Sequence, residues 1–159
     1  MHSQKHYKIT WSEYNQAAHT IYKKLLKEKF TPDVIIGVSK GGLVLATHLC
    51  HIFYNKHNKQ IILGTIYAKR HESDCYYSKL VKPKVTMKML PEIKNKKVLI
   101  TEDTVGTGTT KECIIEYLNK KKPKKIMTAI ISAQKGVNLE NCVYYKINNK
   151  IWQIFPWEE

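Results

Sequence analysis

The chain has 159 residues, of which 43% are hydrophobic and 10% are aromatic. This composition predicts one globular domain over residues 1–159, large enough to bury a core without disulfides or metals as staples. No apolar run reaches the roughly 18 residues of a membrane span, and the first ten residues lack the apolar segment of a secretory signal. We therefore expect a cytoplasmic protein with no membrane partner.

A formal net charge of +14 would also suit a nucleic-acid-binding protein. However, the positive charge is almost entirely lysine, and Arg70 is the only arginine. An A/T-biased coding sequence gives the same lysine excess. The basic cluster at residues 120–125 follows a predicted helix, whose C-terminus favours positive charge. Nucleic-acid binding is therefore the least favoured of the three functions considered below.

Strands and helices alternate along the chain. The sequence TWSE at Thr10 to Glu13 is a capping box, and apolar residues then recur at three- and four-residue steps, which predicts an amphipathic helix. Further helices are predicted at residues 43–53 and 109–119. Four apolar runs rich in β-branched residues predict buried strands, at residues 33–38, 60–67, 97–102 and 125–133.

This alternation is typical of parallel βαβ units, whose ligands bind beyond the C-terminal ends of the strands. We therefore predict an α/β fold with a mainly parallel sheet flanked by helices. Residues 68–92 show no periodic pattern and are longer than an ordinary connection. We expect them to form a long mobile loop that closes over a ligand.

Two adjacent acids, Glu102 and Asp103, end the third predicted strand and precede a turn rich in glycine and threonine. Carboxylates attract cations, whereas the backbone N–H groups at a helix start attract anions. One ligand satisfies both if it carries a phosphate at one end and hydroxyls or a metal at the other. The turn is not a Walker A loop, because the Gly-Lys-Ser/Thr ending is missing.

This arrangement resembles the phosphoribosyl-pyrophosphate motif of type I phosphoribosyltransferases. The resemblance implies that family's α/β core, with a long mobile loop and a small C-terminal hood over the base. It implies that Glu102 and Asp103 are catalytic and face the ribose hydroxyls and a bound Mg²⁺. It also implies that the turn binds the 5′-phosphate, through Thr104, Val105, Gly106, Thr107, Gly108, Thr109 and Thr110.

Two other stretches support the same family. GVSKGGL, at residues 37–43, looks like the family's pyrophosphate loop, often built around a cis peptide, which implies pyrophosphate binding by Ser39, Lys40, Gly41 and Gly42. The C-terminal pattern W-x-x-x-P-W-acid resembles the ending of the bacterial xanthine-guanine branch. There the first tryptophan, here Trp152, stacks on the purine, and the backbone after it, here at Gln153, reads the base edge.

The sequence departs from the 6-oxopurine branch at two positions. The fifth residue of the acidic motif is usually an Asp that takes a proton from purine N7, and here it is Gly106. General-base catalysis contributes roughly 10² to 10⁴-fold in rate. The branch also has a Lys just beyond the fourth strand that reads the 6-oxo group; here either Gln134 or Lys135 could stand there, and we favour Lys135.

The leading hypothesis is therefore an Mg²⁺-dependent transferase. It would move the phosphoribosyl group of phosphoribosyl pyrophosphate to a purine base and release pyrophosphate. We expect the protein to act in purine salvage as a homo-oligomer. The second hypothesis is a regulatory or nucleotide-binding protein of the same fold, for which Gly106 would be the signature. The third is the basic nucleic-acid-binding protein.

Overall fold

The computed structural model describes residues 6–71, 80–149 and 151–158. Three helices and eight strands follow one another in these residues, and a short 3₁₀ turn, Pro156–Glu158, comes last. The helices are α1 (Trp11–Lys27), α2 (Gly41–His57) and α3 (Thr109–Asn119). The strands are β1 (His6–Lys8), β2 (Val34–Val38), β3 (Ile62–His71), β4 (Leu80–Met89), β5 (Lys97–Val105), β6 (Lys125–Gln134), β7 (Cys142–Asn148) and β8 (Trp152–Ile154).

The main sheet of the described residues has the strand order β4-β3-β2-β5-β6-β7, and every pairing in it is parallel except that of β3 with β4. Apolar residues of α1 and α2 pack on one face of this sheet, and those of α3 pack on the other. The predicted α/β fold with a mainly parallel sheet is therefore confirmed.

The capping box at the start of α1 forms only in part. The Thr10 hydroxyl accepts a hydrogen bond from the Glu13 backbone N–H at 3.1 Å, as the sequence predicts. The Glu13 carboxylate turns away instead, to the Tyr7 hydroxyl at 2.9 Å and the Lys146 ammonium at 2.8 Å. Glu13 thus ties the first helix to β1 and β7.

The prediction of one long loop at residues 68–92 is wrong in part. Strand β3 continues to His71, and β4 pairs with it antiparallel at the edge of the sheet. The alternation of β4 is hard to recognise because lysines occupy exposed positions, as is common on edge strands. Residues 72–79 of the predicted mobile loop lie outside the described residues.

The C-terminal segment forms a small second layer. Strand β8 pairs with β1 in parallel, and the Ile9 backbone N–H donates to the Ile154 carbonyl at 2.9 Å. The 3₁₀ turn after β8 brings the end of the described chain back over the sheet, where Phe155 is buried. None of the helices in the described residues is long and apolar enough to cross a membrane.

Candidate active site

The pyrophosphate-loop stretch and the acidic motif are in direct contact. The peptide bond between Ser39 and Lys40 is cis, and α2 begins at the next residue. A Cβ atom built on Gly41 would overlap the Asp103 carboxylate, and one on Gly42 would overlap the Thr101 carbonyl. Both positions therefore require glycine, because any side chain would separate the start of α2 from β5.

Asp103 occupies the centre of this contact. Its Oδ1 atom accepts a hydrogen bond from the Thr104 backbone N–H at 2.7 Å. Burial raises the pKa of the carboxyl above its ordinary value, and the negative charge of Glu158 raises it further, whereas the Thr104 hydrogen bond lowers it. The site therefore holds a carboxylate whose charge the protein alone leaves poorly compensated, which is common in functional sites.

The negative charge of Glu158, in the C-terminal turn, acts on the Asp103 carboxyl. The Glu158 carboxylate accepts a hydrogen bond from the Phe155 backbone N–H at 2.8 Å, which fixes the turn. Three stretches far apart in the sequence, at residues 39–42, 102–110 and 156–158, thus converge. The sequence analysis did not include Glu158 among the site residues, although the acid of the W-x-x-x-P-W-acid pattern was the available signal.

Glu102 lies on the other face of the sheet. Adjacent strand residues point to opposite faces, and Glu102 is only 6% exposed. Its charge acts on the Cys142 thiol, near the start of β7. The structure therefore brings Asp103, and not Glu102, against the pyrophosphate-loop glycines.

A buried lysine accompanies Glu102. Lys111, in the first turn of α3, is 3% exposed, and its ammonium donates to the Asn138 carbonyl at 2.6 Å. Burial raises the pKa of the Cys142 thiol, the Lys111 charge lowers it, and the Glu102 charge raises it. These three side chains thus share one environment. No local pattern points to Lys111, because a lysine in a first helical turn ordinarily faces solvent.

The phosphate turn precedes α3. Gly108 has φ +86°, a left-handed conformation that favours glycine, and the hydroxyls of Thr107 and Thr109 are 3.0 Å apart. The Thr110 hydroxyl is buried without a hydrogen-bond partner among the described residues. The first N–H groups of α3 and these hydroxyls form a donor set that can bind a phosphate. Val105 is buried, so only its backbone is available.

Gly106 differs from Gly108. Its φ does not lie in the left-handed region. A Cβ built on it would lie 3.7 Å from the nearest atoms of the Gln134 side chain, an ordinary van der Waals distance. The absence of a carboxylate at this position is therefore not enforced by the backbone.

Residues 134–141, from the last residue of β6 through the turn that follows it, run beside the phosphate turn. Besides Gln134 opposite Gly106, the Val137 side chain lies 2.9 Å from a Cβ built on Gly108, and Lys111 bonds the Asn138 carbonyl. We call these three contacts the turn–turn contacts. Lys135 follows the end of β6 and is exposed, with its backbone N–H bonded to the Asn148 carbonyl at 2.9 Å.

The C-terminal hood, formed by β8 and the 3₁₀ turn, contains three aromatic residues with different surroundings. Trp152 in β8 is 39% exposed, whereas Trp157 stacks on Phe155 with ring centroids 4.8 Å apart. Trp152 is thus the more exposed of the two C-terminal tryptophans. The Gln153 side chain is buried and its Oε1 atom has no hydrogen-bond partner among the described residues.

The site has few carboxylates that could bind Mg²⁺. In the part of the chain that the structure describes, no group of three or more His, Cys, Asp or Glu side chains could hold a metal by itself. Mg²⁺ is usually bound by one or two carboxylates together with substrate phosphates. Asp103, with Glu158 beside it, fits that requirement next to a turn and a loop suited to phosphate.

Comparison with known proteins agrees with this geometry. The phosphoribosyl transferase domain family matches residues 8–159. A purine phosphoribosyltransferase from Pyrococcus horikoshii has 32% sequence identity and a TM-score of 0.78, over 98% of this chain and 95% of that one. The xanthine-guanine-hypoxanthine phosphoribosyltransferase of Helicobacter pylori shares the fold, with a TM-score of 0.71 at 18% identity over 96% and 93% of the two chains.

Another relative is a longer protein than this chain. The hypoxanthine-guanine phosphoribosyltransferase of Dictyostelium discoideum is 27% identical over 113 residues, which is 70% of this chain. The chain spans 61% of the length of that relative. Together with the family match over residues 8–159, these likenesses confirm the resemblance to type I phosphoribosyltransferases drawn from the motifs: the chain belongs to the phosphoribosyl transferase domain family.

Proposed function

We propose that the protein transfers the phosphoribosyl group of phosphoribosyl pyrophosphate to a purine base, with Mg²⁺ bound, and releases pyrophosphate. The observation that carries the proposal is the contact between the Asp103 carboxylate and Gly41, on which the charge of Glu158 also acts. It joins the residues suited to a metal and a ribose to the loop suited to a diphosphate. The names of the Pyrococcus and Dictyostelium relatives support a purine as acceptor.

Each part of the substrate has a counterpart in the site. The N–H groups at the start of α3, with Thr109 and Thr110, would bind the 5′-phosphate. Lys40 and the first N–H groups of α2 would bind the diphosphate. Asp103 and Glu158 would hold Mg²⁺, which when bound neutralises charge on the diphosphate. Oriented charges of this kind act most strongly on charge that develops during the reaction.

In the transfer, the bond between C1′ and the diphosphate oxygen breaks and its electron pair leaves with pyrophosphate. A nitrogen lone pair of the base forms the new bond to C1′. The proton that the base loses goes to water, because Gly106 offers no carboxylate to accept it. Glu102 is buried on the other face of the sheet, so we assign it a supporting role beneath the turn, and Asp103 the direct one. Cytoplasmic location, a single domain, a role in salvage and a homo-oligomer stay predictions.

The test is incubation with phosphoribosyl pyrophosphate, Mg²⁺ and a panel of purines and pyrimidines, with pyrophosphate and nucleotide measured together. We expect equal amounts of both products with a purine. Lys40→Met should lower kcat/KM about 100-fold, on the scale of losing one group that stabilises developing charge. Lys56→Met, an exposed lysine at the far end of α2, is the matched control and should have no effect. Substrate binding without products from any base would favour the regulatory nucleotide-binding alternative.

A further inference from the structure

We propose that Gln134, rather than Lys135, reads the edge of the base, and that its amide selects a 6-aminopurine over a 6-oxopurine. This inference rests on the proposed transferase function and specifies its acceptor. It concerns only the edge of the purine at positions 6 and 7, which the resemblance to the 6-oxopurine branch would place beside residue 106 and the end of β6.

The first argument is the position of Gln134. Val105 pairs with Ala133 across the parallel strands β5 and β6, which places Gly106 beside Gln134. The Cδ and Nε2 atoms of Gln134 lie 3.7 Å from a Cβ built on Gly106, and Oε1 lies 3.8 Å from it. The amide therefore covers the position where a side chain at residue 106 would begin.

The second argument is that this amide is available. Gln134 is half-buried, and none of residues 6–71, 80–149 and 151–158 forms a hydrogen bond with its side chain. The backbone around it is well fixed. Gln134 pairs with Asn148, whose side-chain amide donates to the Ser132 hydroxyl at 2.7 Å.

The third argument excludes Lys135 from the same place. Gln134 is the last residue of β6 and Lys135 begins the turn that follows, and the three atoms nearest to a Cβ built on Gly106 all belong to Gln134. Lys135 is exposed, and this turn closes by the hydrogen bond from the Val137 N–H to the Gln134 carbonyl at 3.3 Å. No lysine ammonium therefore stands beside Gly106 on this strand.

The chemistry of an amide then decides the base. A glutamine side chain offers one carbonyl acceptor and one amino donor group side by side. A 6-aminopurine nucleotide presents an N7 acceptor beside an N6 amino donor, and glutamine matches the two with a pair of hydrogen bonds. A 6-oxopurine nucleotide presents two acceptors, N7 and O6, so the amide carbonyl would face an acceptor. A lysine or arginine suits that edge instead.

Glycine at position 106 is consistent with the same edge. A carboxylate there would lie next to N7, which is an acceptor in the nucleotide, and would need a proton between the two. Without that carboxylate, N7 is free to accept from the Gln134 amide. Gly106 and Gln134 thus provide an uncharged site for this edge of the purine, in place of a carboxylate and a lysine.

The test uses nucleotide binding, which needs no turnover. Adenosine 5′-monophosphate, inosine 5′-monophosphate and ribose 5-phosphate are titrated into the protein with calorimetric detection. We expect the adenine nucleotide to bind at least fivefold more tightly than the inosine nucleotide, at the lower end of about 5- to 150-fold for one bidentate base contact. Turnover with adenine and hypoxanthine should follow the same order.

Two substitutions sharpen the result. Gln134→Lys should reverse the preference, because its donors suit two acceptors. Gln134→Glu, which when ionised keeps the acceptor and loses the donor, should weaken binding of the adenine nucleotide without changing that of ribose 5-phosphate. Lys135→Met is the matched control and should leave the ratio unchanged.

The outcomes distinguish failure of the base assignment from failure of the proposed transferase function. An equal or reversed ratio in the natural sequence, with ribose 5-phosphate bound, overturns the base assignment and leaves the transferase proposal standing. A ratio that changes in Lys135→Met but not in Gln134→Lys or Gln134→Glu also overturns it. Failure of all three ligands to bind, with no pyrophosphate formed, contradicts the transferase proposal itself.

Discussion

The two ends of the central sheet each carry an aspartate, and the protein treats them in opposite ways. At the N-terminal edge, Asp33 accepts from the Lys97 backbone N–H at 2.9 Å and pairs with Lys59 at 3.2 Å. At the C-terminal edge, Asp103 has a second carboxylate, Glu158, nearby and no ammonium partner in the described residues. A carboxylate that the fold compensates serves stability, whereas one that it leaves uncompensated is prepared for a ligand.

The pKa values of the two aspartates are shifted in opposite directions. Burial tends to raise the pKa of Asp33, but the Lys97 N–H, the Lys59 ammonium and the Lys96 charge together hold it below the ordinary value. Burial and Glu158 hold the pKa of Asp103 above it. Ionisation of Asp33 therefore favours the folded state, and ionisation of Asp103 opposes it.

The largest expected effect is that of neutralising Asp103. Asp103→Asn should reduce pyrophosphate release about 100-fold or more, since it removes a charge aimed at the reacting groups. The melting temperature should stay the same or rise, because the substitution relieves the repulsion from Glu158. Steady-state kinetics and thermal unfolding of the same preparation check both. A fall in melting temperature with activity kept would assign Asp103 to the scaffold, and so end the contrast between the two ends of the sheet.

A smaller effect is expected at the neighbouring acid. Glu102→Gln should lower the free energy of unfolding by about 1–3 kcal/mol, the scale for leaving a buried polar group less well compensated. The reason is that the buried Lys111 ammonium would lose a compensating charge in the environment they share. Denaturant unfolding measures the loss.

Lys111→Met provides the control for this pair. The double variant of Glu102→Gln and Lys111→Met should be more stable than Glu102→Gln alone, because no unpaired charge stays buried. Strictly additive losses would mean that the two side chains act independently.

The smallest effect concerns Asp33, and it depends on pH. Because the folded state lowers its pKa, Asp33 contributes stability above the ordinary aspartate pKa, and this contribution is lost as the pH falls through the lowered value. At neutral pH, Asp33→Asn should cost about 0.2–1 kcal/mol, since the pair with Lys59 is partly exposed. The difference between Asp33→Asn and the natural sequence should vanish in acid. A constant difference in denaturant unfolding across the pH range would contradict this account.

The sequence predicted those parts of the fold in which a local pattern coincides with burial. Helix α3 has the predicted bounds, and the buried apolar runs became β2, β5 and β6. Strand β4 was missed because an edge strand buries too little to show an apolar period. Its exposed Met87 and Met89 and its lysines instead looked like a loop.

The candidate site was predicted as a set of motifs, but not as a geometry. Motifs located the pyrophosphate loop and the phosphate turn, and the glycines at 41 and 42 do lie against β5. Taking Glu102 and Asp103 as one unit ignored the two-residue period of a strand, which already separates them. Lys111 and the approach of Glu158 depend on tertiary contacts that no local pattern records.

The turn–turn contacts have a consequence for the order in which ligands bind. Gly106, Gly108 and Lys111 belong to the segment that would hold a phosphate, and their contacts lie along the segment that carries Gln134. If the first segment binds the sugar phosphate as proposed, a phosphate that orders it would also order the second segment. The conformational entropy of the base-side turn would then be lost before the base binds, so we expect the base to bind more tightly after the sugar phosphate.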